Sequence, residues 1–493
     1  MAAAALGALQ TLAFVHTAAW ALPIATLAWL VWRLDRAAPR RAAWLGACYG
    51  SAWLLAGVWW LFISMHRYGG LPAALAAGAV LAFCTSISLI LALACAAYAR
   101  WRRGAASDGL LFMALWLLAE ITRGWLFTGF PWLASGYSQV DGPLAALAPW
   151  FGVYGMGAAL ALVATALVGR AWRVQALVGA ALALAAVAGP ADFTQPAGTV
   201  RVTLLQTDVP QDEKFAAARM PETLAWLGRE LLAADADLVV APETAVPLLP
   251  GQLDDLAPGY WTALRERFAR PGRAALVGLP LGDYERGYTN SVAGLSAAPE
   301  YRYDKAHLVP FGEFIPLGFH WFTELMNIPL GDFERGVARP PSFVAGTQRV
   351  APNICYEDLF GEELARRFGD PASAPTLFAN LSNIGWFGET IAVDQHLQIS
   401  RLRALEFQRP MLRATNTGAT AIIDHRGVVT AMLAPHQRGV LTGRAEGRSG
   451  ITPYAWWAAR AGLWPLVALA LLLVGLLTRR VKPSAPGAPA APA

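Results

Sequence analysis

RVAPNICYEDLFGEELARRF, residues Arg349 to Phe368, is the stretch on which the reading of the fold turns. An apolar strand pattern over Arg349 to Tyr356 carries Cys355 near its end, and a helix pattern over Gly361 to Phe368 follows. A thiol presented where a strand runs into a helix has helix N-terminal amides close by. Of the four cysteines, Cys48, Cys84 and Cys95 fall in long apolar runs, where cysteine commonly serves as a small apolar filler. Cys355 alone lies outside them. With no partner in its own domain it cannot be a structural disulfide there, so it is either buried and inert or used as a nucleophile.

Outward from Cys355, between Thr199 and Arg444, short strand patterns alternate with amphipathic helix patterns. Strands are expected at Val200 to Gln206, Leu238 to Ala241, Ala274 to Gly278, Ser291 to Leu295, Thr376 to Ala379, Met411 to Ala414, Ala419 to Ile423 and Val428 to Leu433. Helices are expected at Pro221 to Ala233, Tyr260 to Phe268 and Asp394 to Gln408. Such alternation implies an α/β domain around a buried sheet.

A thiol near its ordinary pKa of about 8.5 needs help to become a thiolate at neutral pH. A carboxylate can take the proton and an ammonium can favour the anion. Glu243 in LVVAPETAVP and Lys305 in YRYDKAHLVPFGEF stand at the ends of strand patterns and offer both. The chain has 39 basic residues, and only Lys214, Lys305 and Lys482 among them are lysines. Arginine replaces lysine on a solvated face at little cost, but its planar fork differs from a compact ammonium aimed at one oxygen. Lys482 belongs to a basic flank and Lys214 reads as part of a polar loop, which leaves Lys305 in a strongly patterned segment. The plain alternative for Lys305 is a surface ion pair with Asp304.

The other half of the chain is apolar. Only 15% of the 493 residues are charged and 56% are hydrophobic, which excludes a disordered or nucleic-acid-binding protein. Residues 1–190 read as a membrane domain of seven spans: roughly Ala2 to Val15, Ala18 to Val31, Ala42 to Ser64, Leu71 to Tyr98, Gly109 to Trp125, Gly142 to Val168 and Val174 to Ala188. The first two are short for a bilayer core, so they are either short tilted spans or one re-entrant hairpin. No basic stretch precedes the first run, which therefore reads as an uncleaved span. An eighth span is expected at 461–478, followed by Arg479, Arg480, Lys482 and a Pro/Ala-rich disordered tail, Pro483 to Ala493. Arg33, Arg36, Arg40 and Arg41, then Arg100, Arg102 and Arg103, then Arg170 and Arg173 occupy alternate loops, while the opposite loops hold only Arg67 and Arg123. Basic loops stay inside, so both termini are expected in the cytoplasm and residues 198–450 outside it. Glu120 in AEITRGW is costly inside a membrane and has two readings: a headgroup contact beside Arg123, or an interfacial pair that anchors a helix end. Trp125, Phe127, Phe130, Trp132 and Tyr137 suit a loop in the aromatic belt.

APE at 241–243, DK at 304–305 and ICYE at 354–357 resemble the nitrilase, or carbon-nitrogen hydrolase, superfamily. That resemblance implies an αββα sandwich with Glu243 as general base, Lys305 as oxyanion stabiliser and Cys355 as nucleophile. RGWLFTGFPWLASGYSQVDGPL at 123–144, DKAHLVPFGEFIPL at 304–317, SNIGWFG at 382–388 and RALEFQRPMLRATNTG at 403–418 are more specific, and resemble the apolipoprotein N-acyltransferase family of bacterial inner membranes. By that resemblance Glu313 supports the site, Tyr356 and Glu357 flank the nucleophile, and Trp386 and Phe387 belong to a loop near its mouth. The chain departs from the family at Ile384, where Asp is usual, and at Phe215, where Trp is common. The resemblance implies transfer of an acyl chain from a phospholipid, phosphatidylethanolamine, through a thioester to the diacylglyceryl-cysteine of an apolipoprotein; the seven histidines are scattered with none paired at ligand spacing, so no metal or cofactor is expected. Two rivals remain at this point: a membrane-tethered nitrilase-like amidase, and a non-catalytic lipid-binding or transport protein.

Overall fold

The computed structural model describes residues 1–169, 172–315 and 333–479. Arg170, the last two residues of the 304–317 motif, Arg480, Lys482 and the tail from Pro483 lie outside the described residues.

Among the described residues, twelve strands form two six-stranded sheets. The first contains β1 (Thr194–Gln206), β2 (Leu238–Val240), β3 (Ala274–Asp283), β4 (Gly287–Leu295), β5 (Tyr301–Asp304) and, at its far edge beside β1, β12 (Gly439–Gly450). The second runs β11 (Val429–Met432), β10 (Ala421–Ile423), β9 (Met411–Thr415), β8 (Leu377–Ser382), β7 (Gln348–Ile354), β6 (Phe343–Ala345). The centre of each sheet is parallel and the edges are antiparallel.

Side chains alternate across a strand, and here the alternation divides each sheet between two apolar layers. Val202 and Leu204 of β1, Leu238 and Val240 of β2, Val350 and Ile354 of β7, and Leu377, Ala379 and Leu381 of β8 meet between the sheets. Their neighbours Leu205, Val239 and Val277 turn outward onto the helices Met220–Ala233 and Tyr260–Phe268. On the opposite outer face Ala351, Phe378 and Met411 pack with the helix Ala392–Phe407, in one continuous core with the membrane helices. The layering is therefore helix, sheet, sheet, helix.

Among the described residues, four helices are long and apolar enough to cross a membrane: Thr17–Leu34, Ala73–Trp101, Asp108–Thr128 and Pro143–Val168. Two further pairs are bent: Pro39–Val58 with Leu61–Tyr68, by 62°, and Pro453–Ala461 with Trp464–Thr478, by 87°. The runs expected first and seventh fold as shorter apolar helices, Ala2–Phe14 and Arg173–Ala188. Glu120 and Arg123 are both buried. Glu120 accepts from Ser135 N (2.8 Å) and Ser135 Oγ (2.9 Å), while Arg123 Nη1 donates to Trp132 O. Glu120 and Arg123 thereby clamp the aromatic loop onto the helix that precedes it.

Candidate active site

The parallel strands end on one rim of the sandwich, and chain segments leaving β2, β5, β7 and β8 carry the polar residues of the site. Glu243 follows β2, Lys305 follows β5, Cys355 follows β7, and Asn383 follows Ser382 at the end of β8. Four segments far apart in sequence thus meet because the strands beneath them are neighbours or face one another across the core.

Cys355 opens a tight turn, Cys355–Leu359, and takes a left-handed backbone conformation with φ +51°. Such a φ strains a residue with a Cβ and persists only where its surroundings hold it. Ser382 Oγ lies 3.3 Å from Cys355 Sγ as a donor. Burial, reinforced by the negative charge of Glu243, pushes the thiol up to about 12 despite the opposing Lys305 ammonium. Burial therefore favours the thiol over the thiolate.

Glu243 stands near enough for its charge to act on this thiol. Its Oε1 accepts from Asn290 Nδ2 at 2.8 Å and lies 3.5 Å from Lys305 Nζ, and its Oε2 accepts from the backbone N–H of Asn383 at 2.7 Å. Lys305 Nζ also donates to Glu313 Oε1 at 2.8 Å, and Asn290 Nδ2 bridges to that same oxygen at 2.7 Å. Burial alone would lower the Lys305 ammonium, but the two carboxylates of Glu313 and Glu243 hold it above the usual lysine value. Lys305 thus stays charged. The pairing expected as its alternative is not formed, since Asp304 pairs with Arg302 at 2.7 Å and accepts from Ser291.

Glu357 is buried beneath this turn and accepts from the N–H groups of Ile354, Ala306 and His307 and from Tyr303 Oη. It stitches the nucleophile's turn to the lysine segment. Tyr356 Oη donates to Gly129 O, 2.9 Å away in the membrane-domain loop. Trp386 meets Tyr68 edge to face at 5.7 Å, and Phe387 lies 4.1 Å from Trp60 between ring centroids. Both rings therefore rest on the broken helix pair around residues 58–68.

Over residues 6–166 the chain matches the family model of the apolipoprotein N-acyltransferase N-terminal domain, and over 201–446 that of carbon-nitrogen hydrolase. It is 54% identical over 481 residues to apolipoprotein N-acyltransferase of Verminephrobacter eiseniae, covering 90% of this chain and 89% of that one. The chain belongs to the apolipoprotein N-acyltransferase family. The corresponding enzyme of Ralstonia nicotianae is 47% identical, over 97% of this chain and 93% of that one. A carbon-nitrogen hydrolase structure from Helicobacter pylori is similar at 15% identity and a TM-score of 0.38, over 55% of this chain and 95% of that one. Family membership makes the protein an acyltransferase.

Lys214 corrects the sequence reading. It is not in a bland polar loop: it is buried, and its Nζ donates to the backbone O of Glu243 at 3.0 Å. Burial lowers its pKa to about 8, with Glu243 and Cys355 opposing. Asp212, two residues earlier, pairs with Arg67 of the broken membrane helix at 2.9 Å. Asn290 was not singled out by the sequence, because a strand asparagine carries no signal until its neighbours are known, and Ser382 and Asn383 lie in the SNIGWFG motif but had no role assigned to them individually. Ile384, the departure from the family pattern, is buried in the apolar core and close to Gly418.

Proposed function

We propose that this protein N-acylates the amino-terminal diacylglyceryl-cysteine of apolipoproteins by a two-step, ping-pong transfer from a phospholipid. The observation that carries the proposal is the convergence of a protonated thiol, a carboxylate and a charged, doubly paired ammonium on one rim. In the first step Glu243 takes the Cys355 proton as Sγ bonds to the ester carbonyl at sn-1 of phosphatidylethanolamine. The ester C–O bond then breaks and the proton passes from Glu243 to the departing glycerol oxygen, leaving a thioester. In the second step the acceptor's α-amine attacks the thioester carbonyl and gives a proton to Glu243. The C–S bond breaks and Sγ recovers that proton.

Lys305 Nζ and the Tyr356 backbone N–H stabilise both oxyanions, a role in which loss of one donor costs about 10²–10³ in kcat. Glu313 keeps Lys305 charged and aimed. Trp386 and Phe387, against the membrane domain, border the path of the lipid. Alternation of basic loops supports a periplasmic site, with both termini cytoplasmic. It also supports a membrane domain at 1–190, a catalytic domain at 198–450 and a last span at 461–478. The test uses purified protein with phosphatidylethanolamine labelled in its sn-1 chain: label is expected on Cys355, released by a diacylglyceryl-cysteine peptide. Small-amide hydrolysis without any labelled protein would instead favour the amidase.

A further inference from the structure

Behind the nucleophile lies a buried polar cluster that the mechanism above does not use: His396, Asp358, Arg413 and Ser400, each at most 1% exposed. Arg413 Nη2 lies 2.8 Å from His396 Nδ1. A guanidinium has no acceptor, so Nδ1 must accept, and the ring is neutral with its proton on Nε2. That proton faces two oxygens: Asp358 Oδ1 at 3.0 Å and the backbone O of Cys355 at 3.3 Å. Asp358 is held in turn by Ser400 Oγ at 2.5 Å and has Arg413 Nη1 at 3.7 Å. Burial alone would raise the Asp358 carboxyl, but His396, Arg413 and Ser400 keep it below the usual range, so it remains an acceptor.

The ring of His396 is also fixed from the membrane side. Trp132 lies 5.5 Å away between centroids, inclined by 35°. The adjacent Gln395 accepts from Trp132 Nε1 (2.8 Å) and Trp60 Nε1 (3.2 Å) and donates to Gly57 O (3.0 Å).

The carbonyl that His396 meets belongs to the strained residue, and Asn380 Nδ2 reaches the same oxygen at 3.2 Å. A trans peptide is planar, with its C=O and N–H pointing opposite ways. Fixing the Cys355 carbonyl therefore fixes the direction of the Tyr356 N–H.

We propose that neutral His396 is a positioning residue for the acyl transfer: its Nε2–H, with Asn380, clamps the Cys355 carbonyl and so aims the Tyr356 N–H at the oxyanion. The inference rests on Cys355 as nucleophile and on that amide as an oxyanion donor. His396→Phe keeps a ring against Trp132 but removes the donor. His396→Gln returns a donor near the position of Nε2.

The measurement is single-turnover thioester formation from phosphatidylethanolamine in the full-length protein, with the lipid dependence separating rate from binding. His396→Phe is expected to slow the maximal rate about ten- to a hundredfold, the size of effect that loss of a buried hydrogen bond produces, with half-saturation changed less than about threefold. His396→Gln is expected to recover most of the rate. Unchanged acylation in His396→Phe, or a folded His396→Gln as slow as His396→Phe, would overturn the inference. The natural protein gives a second readout free of any folding defect: ¹⁵N spectra should show His396 neutral and protonated at Nε2, and a charged ring or a proton on Nδ1 would also overturn it. Cys355→Ala separates the two layers. If that variant still acylates, the nucleophile assignment fails; if it is dead while His396→Phe is unimpaired, only the role of His396 fails.

Discussion

Two of the buried acid–base clusters lie one on each side of the boundary between the molecule's halves, and they are built to opposite ends. In the membrane half, Glu120 and Arg123 spend their hydrogen bonds on one loop, through Ser135 and Trp132, with the pair itself 3.7 Å apart. In the catalytic half, Lys305 sits between two carboxylates, and their charges act on the Cys355 thiol. A buried ion pair is therefore weak information about function by itself. The difference lies in what the charges face: backbone and hydroxyl donors that they fix, or a group that can react.

The comparison breaks first at the thiol. Cys355→Ala should abolish acyl transfer while leaving the protein folded, as judged by its melting in detergent; residual transfer at the natural rate would remove the catalytic half of the contrast. Lys305→Arg comes next. Its charge is kept but the planar fork does not reproduce a compact ammonium between Glu243 and Glu313, and kcat should fall by about 10²–10³ in a folded protein.

The membrane pair should behave in the reverse way. Glu120→Ala leaves Arg123 buried without its carboxylate, which should cost about 3–5 kcal/mol of stability. Thioester formation per folded molecule should change only a few-fold, so a stable but inactive Glu120→Ala would blur the distinction.

Lys214 gives the smallest effect and sharpens the electrostatics. Its folded-state pKa is lowered to about 8 from the ordinary 10.5, so between those values the unfolded chain binds more protons than the folded one. Stability from this group therefore rises with pH across that window, and below about pH 8 its burial weighs against the fold. The melting temperature of the natural protein relative to Lys214→Met should climb between pH 8 and 10.5.

The proposed catalytic trio could be picked out from sequence because each member ends a strongly patterned strand and because residue type restricts the chemistry. Glu243, Lys305 and Cys355 stand together as those patterns implied, and the sandwich layering follows from period-two alternation in β1, β2, β7 and β8. Lys214 was misread because QDEKF looks solvated, and only the fold brings its ammonium to a carbonyl 29 residues on. His396 was invisible for a related reason. The helix Ala392–Phe407 is buried on nearly every side, between a sheet and the membrane helices, yet carries Asp, Gln, His, Ser and Arg, so no apolar stripe marks an inner face. β12 escaped notice because glycines at 439, 443 and 447 dilute its alternation, and its place is set by pairing with β1. Hydropathy likewise located the run 42–64 but not its break after Val58, which a composition average does not see.

A covalent acyl-enzyme should link the two half-reactions. It is tested most directly by acylating the protein with phosphatidylethanolamine, removing all free phospholipid, and only then adding a diacylglyceryl-cysteine peptide. The expected result is one acyl chain on Cys355 by intact mass and its stoichiometric transfer to the peptide α-amine. Acylation of the peptide that requires phospholipid to be present at the same time, with no acyl chain ever found on Cys355, would contradict it.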